Sequence, residues 1–315
     1  MKVLVTGASG FVGRAICAHL TEQGLTVVGA VRHLPENRTT GVDYRIVPDI
    51  NGETNWSEAL TGINAVIHCA ARVHIMQDTA DDPLVAFRAI NLEGTIRLVN
   101  QAVEGGLKRF VYLSSLKVNG EYTEGIPFTA EDVPKPIDPY SISKWEAEQA
   151  LKSIATKNAL EFVIIRPPLV YGEGVRANFF RLMQAIKLVF PLPLGAIKNR
   201  RSLVGLDNLV DLILTSLHHN AAANQTFLVS DGEDLSTPDL LRRTARAMKK
   251  PARIFPIPVP LLIKSANILG KVDFALRLCS SLQADIKKNQ ELLGWSPPFS
   301  VEESLQKTTQ YFLSH

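Results

Sequence analysis

Short apolar runs rich in β-branched residues recur through the first half of the chain, at Val3-Leu4-Val5, Thr26-Val27-Val28, Ala65-Val66-Ile67, Phe110-Val111-Tyr112-Leu113 and Phe162-Val163-Ile164-Ile165. They lack the apolar-polar alternation of a sheet with one wet face, so they predict parallel strands covered on both sides. Between them, Gly13 to Gln23, Pro83 to Glu104 and Ile142 to Thr156 carry apolar residues at helical spacing, with Gly24 and Gly105-Gly106 as stop signals. Strands and helices thus alternate, which predicts an α/β fold on a Rossmann-type, doubly wound parallel sheet.

After about Gly172 the pattern breaks into aromatic, Pro-rich and basic pieces, among them Phe190-Pro191-Leu192-Pro193-Leu194-Gly195 and Phe255-Pro256-Ile257-Pro258. Ser202-Leu203-Val204, Leu209 to Leu217 and Phe227-Leu228-Val229 read as a strand, a helix and a strand that return to the first sheet. The expected organisation is a first domain over 1–172 that regains 202–230, and a smaller α/β domain made of 173–201 and 231–315.

Composition narrows the function classes. The 315 residues are 46% hydrophobic and 21% charged, an ordinary globular composition. With 34 basic against 31 acidic side chains the excess is too small to mark a nucleic-acid surface. The three cysteines, Cys17, Cys69 and Cys279, are widely spaced and suggest neither a disulfide framework nor a metal site. No apolar leader precedes the first strand, and Ile254 to Ile263 is interrupted by Pro256, Pro258 and Pro260. A cytoplasmic protein without a membrane span is therefore expected. The segment from Ile254 to Leu262 is compatible with a pocket wall, a subunit contact, as in a homodimer, or an exposed patch.

Gly7-Ala8-Ser9-Gly10-Phe11-Val12-Gly13 lies directly between the first strand and the first helix, where a dinucleotide fingerprint has to be. Gly7 allows a tight turn, Gly10 lets a diphosphate approach the backbone N–H groups of the helix N-terminus, and Gly13 permits close helix-to-sheet packing. The second strand then runs out through Gly29-Ala30-Val31-Arg32-His33, with no carboxylate at its tip to accept from a ribose 2′-hydroxyl. Arg32 has the fork geometry that suits a 2′-phosphate, so NADP(H) is expected in preference to NAD(H).

Tyr140-Ser141-Ile142-Ser143-Lys144 puts a phenol and an ammonium one helical turn apart, and Leu113-Ser114-Ser115 ends a strand where a parallel sheet lines its ligand crevice. Ser115 as hydroxyl donor, Tyr140 as acid or base and Lys144 as a fixed positive charge form a plausible proton-transfer set. His68 at a strand end reads as a structural histidine, and His218-His219 as capping or solvated residues.

These motifs, with His68-Cys69-Ala70-Ala71, Arg166-Pro167-Pro168-Leu169-Val170-Tyr171-Gly172, Arg200 to Val210 and Asp285 to Trp295, resemble the extended short-chain dehydrogenase/reductase family, in its nucleotide-sugar epimerase/dehydratase branch. The resemblance spans nearly the whole chain. It implies that Tyr140, Ser115 and Lys144 are catalytic and that the smaller domain binds the substrate, a nucleotide sugar. It also implies backbone contacts from Phe11 and Val12 to the pyrophosphate, adenine contacts at Asp49 and Ile50, and cofactor walls at Ala70, Ala71 and Pro167. Asn178, Arg200 and Arg277 are its candidates for the sugar-nucleotide diphosphate.

The missing acid at the second strand tip and Asn119-Gly120 in place of the usual Tyr-Gly depart from the epimerases of this branch. The late pattern, including Arg277-Leu278-Cys279-Ser280-Ser281-Leu282-Gln283, looks closest to reductases of nucleotide-linked 4-keto-6-deoxy sugars that serve surface-polysaccharide synthesis. The first expectation is thus an NADP(H)-dependent 4-ketoreductase, and the alternative an NAD-dependent 4-epimerase resembling UDP-glucose 4-epimerases. A nucleotide-sensing protein without catalysis is a third reading, one that predicts a broken Ser-Tyr-Lys set.

Overall fold

A computed structural model describes residues 1–73 and 81–315. The first part of the chain forms β1 (Lys2–Thr6), α1 (Phe11–Glu22), β2 (Thr26–Val31), β3 (Val42–Ile46), α2 (Ser57–Leu60), β4 (Ala65–His68), α3 (Pro83–Arg88), α4 (Gly94–Glu104), β5 (Arg109–Leu113), α5 (Pro139–Asn158) and β6 (Glu161–Arg166). It continues through β7 (Leu169–Tyr171), α6 (Ala177–Lys187), β8 (Arg201–Gly205), α7 (Leu206–His218), β9 (Gln225–Leu228), β10 (Asp234–Leu235), α8 (Thr237–Ala247), α9 (Val259–Ile268), α10 (Val272–Cys279), α11 (Lys287–Leu293) and α12 (Val301–Ser314).

Seven parallel strands form one sheet in the order β3-β2-β1-β4-β5-β6-β9. The order reverses between β1 and β4, and that switch point is where a doubly wound sheet opens its ligand crevice. Successive side chains of a strand alternate between faces, so each predicted run divides between two cores. Val3, Val5, Ile67 and Val111 pack with Ile16 and Leu20 of α1 and Leu209 and Ile213 of α7. Leu4, Val66, Phe110 and Ile164 pack on the other side with Leu98 of α4 and Leu151 of α5. This is the fold expected from the apolar runs. The edge strand β3 had no such signature: none of Val42-Asp43-Tyr44-Arg45-Ile46 is fully buried, and only Val42 and Tyr44 pack against the first core.

Three boundaries differ from the periodicity. Helix α1 starts at Phe11, two residues before the expected Gly13, since glycine contributes no apolar signal. Helix α5 begins at Pro139, where a fixed φ suits the first helical position. The stretch from Pro83 to Glu104 is helical throughout, but a π-helical turn at Ala89–Glu93 separates α3 from α4.

The expected return of residues 202–230 to the large sheet is corrected for its first strand. Pro167 and Pro168 follow β6 directly, and without N–H groups they end the ladder. The chain leaves as β7, which pairs with β8, and β8 pairs with β10 in a separate three-stranded sheet. Helix α7 and strand β9 do join the large sheet, β9 along the free edge of β6. A third core, with Phe179 and Met183 of α6, Leu241 of α8 and Leu305 of α12, fills the smaller unit. The stretch Ile254 to Leu262 divides: Ile254 packs against this third core and lines a small cavity with Leu192 and Leu241, whereas α9, which begins at Val259, has no buried residue. Among the described residues no helix is long and apolar enough to cross a membrane.

Candidate active site

Strand β1 delivers the chain to Gly7, whose φ of +66° belongs to the left-handed region. A Cβ at Gly13 would stand 2.2 Å from the Gly7 carbonyl oxygen, and one at Gly10 3.1 Å from it. Only a turn without side chains folds this tightly. Gly10 is the N-cap of α1, with no capping side chain and no acidic residue in the first turn. The first N–H groups, including those of Phe11 and Val12, therefore lack a side-chain acceptor at the positive end of the helix dipole. An anion is suited to that position, and the diphosphate of a dinucleotide is one.

The other cofactor candidates lie around the same sheet end. Asp49 and Ile50 follow β3, with the Asp49 carbonyl accepting from Thr54 Oγ1 at 2.7 Å and Ile50 packing over Gly94. Ala70 and Ala71 follow β4, and Ala70 N–H donates to Thr6 Oγ1 at 3.2 Å beside Gly7. Pro167 follows β6 and accepts from Leu116 N–H at 2.8 Å. Arg32 is exposed just beyond β2. A cavity of about 250 Å³ opens beside the glycine turn, lined by Ser9, Arg14, Pro35, Glu36, Asn37 and Tyr44. Its cation is Arg14 rather than Arg32, and Glu36 brings it the carboxylate that the tip of β2 lacks. Attention to the strand tip alone misses both.

The proton-transfer set is assembled by one helix cap and one strand end. Asp138 accepts from Ser141 N–H at 2.7 Å, and Ser141 Oγ accepts from Asp138 N–H at 3.2 Å, a capping box that fixes the first turn of α5. Burial alone would raise the Asp138 carboxyl, but its ion pair with Lys117 and its bonds from Ser141 outweigh that and hold it at about 2. Tyr140 stands in that first turn, its ring edge-on to Phe87 at 6.0 Å. Ser115 stands just beyond the end of β5, its Oγ accepting from Lys117 N–H at 3.3 Å. Burial pushes the Tyr140 phenol up to about 12, with Asp138 adding to the rise and Ser115 opposing it.

Lys144 follows one turn later, 1% exposed, its ammonium 4.1 Å from the centre of the Tyr112 ring. Burial lowers it to about 7, against the pull of the Glu148 carboxylate. Lys144 also lies one helical turn after Tyr140 on α5, and a cation on the same helix face as a phenol favours phenolate, the base that proton abstraction from a hydroxyl requires.

His68 is structural, and its hydrogen bonds show why. Thr95 Oγ1 donates to the Asn91 carbonyl at 2.7 Å, so it can only accept from His68 Nε2–H at 3.0 Å. His68 Nδ1 then accepts from Thr6 Oγ1 at 2.6 Å. With both nitrogens engaged and the ring buried, the group is held neutral, pushed down to about 3 by burial and by Lys144. His219 accepts from Ala221 N–H through Nδ1 at 3.2 Å and caps a turn.

Two buried polar residues escaped the sequence reading. Asn91, in the π-helical turn, donates to the Arg72 carbonyl and to Ser143 Oγ, both at 3.0 Å, and ties that turn to α5. Glu148 receives Arg166 in a two-pronged pair at 2.9 and 2.5 Å, and Arg166 reaches Asn119 Oδ1 at 3.0 Å. A buried polar residue within an apolar helical pattern is the available signal for both.

The substrate candidates are less closely held. Arg201, mostly buried, donates to the carbonyls of Arg277 and Ser280 at 2.7 and 3.0 Å and fastens the end of α10 to β8. Arg200 and Arg277, its neighbours, are exposed. Asn178 is exposed on the first turn of α6, and no hydrogen bond joins it to the arginines among the described residues.

Comparison with known proteins completes the picture. A model of the NAD dependent epimerase/dehydratase family matches residues 3–230. The chain is 45% identical to a UDP-glucose 4-epimerase of Vibrio cholerae, over 99% of this chain and 95% of that protein. It is 26% identical to the N-acetyl-alpha-D-glucosaminyl-diphospho-ditrans,octacis-undecaprenol 4-epimerase of Escherichia coli O157:H7, over 100% of this chain and 96% of the relative. UDP-glucuronic acid 4-epimerase from Bacillus cereus, solved with NAD, shares the fold with a TM-score of 0.80 at 21% identity, covering 100% of this chain and 99% of that one.

Proposed function

The chain belongs to the NAD dependent epimerase/dehydratase family and is an NAD(P)-dependent enzyme; from that premise we propose that it is a nucleotide-sugar 4-epimerase, inverting C4 of a UDP-linked hexose such as UDP-glucose. The observation that carries the reading is 45% identity, along 99% of the chain, to a protein named for that reaction.

In this proposal Tyr140 takes the proton of the sugar 4-hydroxyl, and Ser115 donates a hydrogen bond to the same oxygen. Lys144 supplies the positive charge that makes the phenolate accessible. The N–H groups of Phe11 and Val12 hold the diphosphate of the dinucleotide, with Ala70, Ala71 and Pro167 along its nicotinamide end and Asp49 and Ile50 near its adenine. The nicotinamide supplies the hydride acceptor and donor at C4. Asn178, Arg200 and Arg277 hold the diphosphate of the sugar nucleotide.

Both features that set this chain apart from epimerases, the strand tip without an acid and Asn119, are compatible with a 4-epimerase. Glu36 lines the cavity beside the glycine turn, so a carboxylate for a ribose hydroxyl is at hand without an acidic strand tip. Asn119 is buried and bonded to Arg166 and to the Thr129 carbonyl, a supporting position that does not discriminate between the two reactions. The deciding experiment incubates the purified protein with UDP-glucose and no added cofactor, reading UDP-galactose by chromatography and bound dinucleotide after acid release. Epimerisation with NAD retained on the protein is expected. Conversion only of 4-keto sugars, with one NADPH consumed per turnover, would replace this reading by the reductase.

NADP(H) is the second cofactor reading, favoured by the exposed Arg32 at the tip of β2 and by Arg14 in the wall of the neighbouring cavity, both cations suited to a 2′-phosphate. If Arg32 meets a 2′-phosphate, Arg32→Ala weakens NADPH by about tenfold or more and leaves NADH nearly unchanged. Equal effects on both cofactors in a titration would reject that role.

A further inference from the structure

Beneath the catalytic helix lies a buried ionic cluster that the proton-transfer scheme does not itself use. Glu148 is one turn beyond Lys144 on α5 and is 0% exposed, while Arg166, the last residue of β6, is 2% exposed. Arg166 donates to both oxygens of Glu148, from Nε at 2.9 Å and from Nη2 at 2.5 Å. The Ser114 hydroxyl donates to Glu148 Oε1. Backbone bonds complete the frame: Ser114 N–H to the Ile165 carbonyl at 2.7 Å and Leu116 N–H to the Pro167 carbonyl at 2.8 Å. The carboxylate therefore touches the helix carrying Tyr140 and Lys144, the strand end carrying Ser115 and the strand end preceding Pro167.

We propose that Glu148, clamped by Arg166, is a positioning residue of the catalytic set, serving as the counter-charge of Lys144 and as the tie between the Ser114-Ser115 strand end and the helix of Tyr140. The inference rests on the reading of Ser115, Tyr140 and Lys144 as the reacting groups. Stability does not account for the pair, because a well-packed apolar pair of the same volume commonly stabilises a fold as well or better than a buried ion pair. Charge does account for it. With Lys144 and Arg166 both cationic and Glu148 anionic, the cluster carries one net positive charge. That excess is balanced when the Tyr140 phenol ionises or negative charge develops on a substrate oxygen.

The groups facing Lys144 give the carboxylate its weight. From its own helix comes Glu148, with Tyr140 one turn earlier in sequence; from β4 and the residue after it, His68 and Cys69; from β5, the ring of Tyr112; and behind Glu148, Arg166. His68 is held neutral, and burial pushes the Cys69 thiol up to about 12, so neither contributes an anion near neutral pH. Glu148 thus opposes the burial that would otherwise strip Lys144 of its proton. An ammonium with a lowered pKa is lost as pH rises through that value, so removing the carboxylate moves the loss to lower pH.

The test reads Lys144 directly, without substrate. Protein labelled with [ε-13C]lysine is titrated by NMR, and the Lys144 signal is identified by its disappearance in Lys144→Met. Glu148→Gln is expected to lower the pH of Lys144 deprotonation by about one pH unit or more. The double variant Glu148→Gln/Arg166→Gln removes the charges as a pair, and its Lys144 should titrate between the single variant and the parent. If the single variant does not fold, the double variant carries the test. In turnover assays the alkaline limb of kcat should move with the NMR value while KM changes by less than about threefold. Unchanged Lys144 titration in the variants, whatever their thermal stability, would overturn the proposal. A shifted Lys144 in a protein that epimerises no sugar nucleotide would leave this inference standing and remove the proposed function.

Discussion

The two halves of the candidate site are held in opposite ways. On one side, Lys144 and Glu148 are sealed in the core, and Ser115 and Tyr140 are fixed by a capping box, a π-helical turn and two knitted strand ends. On the other side, Asn178, Arg200 and Arg277 are exposed, and α9 buries no residue at all. The difference follows from what each half has to do. Shifting the proton affinity of a phenol or an ammonium requires removing it from water, so those groups must be fixed before any ligand arrives. Gripping a diphosphate requires cations that remain hydrated until the ligand replaces that water.

The sharpest break of this contrast is Tyr140→Phe. It removes the transferable proton, keeps the ring against Phe87, and should cut turnover by about a hundredfold or more with cofactor binding nearly intact. Near-normal steady-state turnover would take the tyrosine out of the chemistry. On the exposed side the expected signature is inverted. Arg200→Ala or Arg277→Ala should raise KM for the sugar nucleotide by about tenfold while kcat stays within about twofold. A fall in kcat at constant KM would show that these arginines belong with the fixed half.

Stability against acid probes the cap beneath Tyr140. Asp138 is held at about 2, below its ordinary 3.8, so its contribution is present in full above about pH 4 and is lost as pH falls through 2. The shift corresponds to about 2 kcal/mol. Urea midpoints of the parent should therefore exceed those of Asp138→Asn near pH 5 and converge with them near pH 2; a constant gap would refute the linkage. The smallest effect belongs to the loosely held half. Ile268 and Leu269 are 78% and 70% exposed, so Ile268→Ser or Leu269→Ser should change unfolding free energy by less than about 0.5 kcal/mol each. A larger loss in chemical denaturation would place α9 against a partner surface.

Legibility in the sequence followed the same division. Doubly covered strands are apolar throughout, so Val3 to Val5 or Phe162 to Ile165 announce themselves, and glycines between a strand and a helix have few other uses. The edge strand β3 did not, because Tyr44 and Arg45 are only half-buried. The sequence spacing brought Tyr140 and Lys144 to one face of α5, but could not reveal that Glu148 meets an arginine 18 residues away across the sheet. Glu36 was equally hidden, since a loop residue's approach to the glycine turn depends on how β2 and β3 lie side by side. The reading of β8 as part of the large sheet failed because local pattern identifies a strand without naming its neighbour.

The late arrival of β9 has a consequence for how the chain can be made and cut. Strand β6 is fully buried from Phe162 to Arg166, and its outer edge is covered by Gln225 to Leu228, about 60 residues further along. During synthesis the sheet therefore waits, with a long apolar edge open to any passing strand, until the intervening excursion has been completed. A fragment ending near Gly172 would carry the entire glycine turn and proton-transfer set and yet be prone to associate edge to edge. The half that carries the glycine turn is therefore expected to need, for its solubility, a strand encoded after the excursion into the smaller unit.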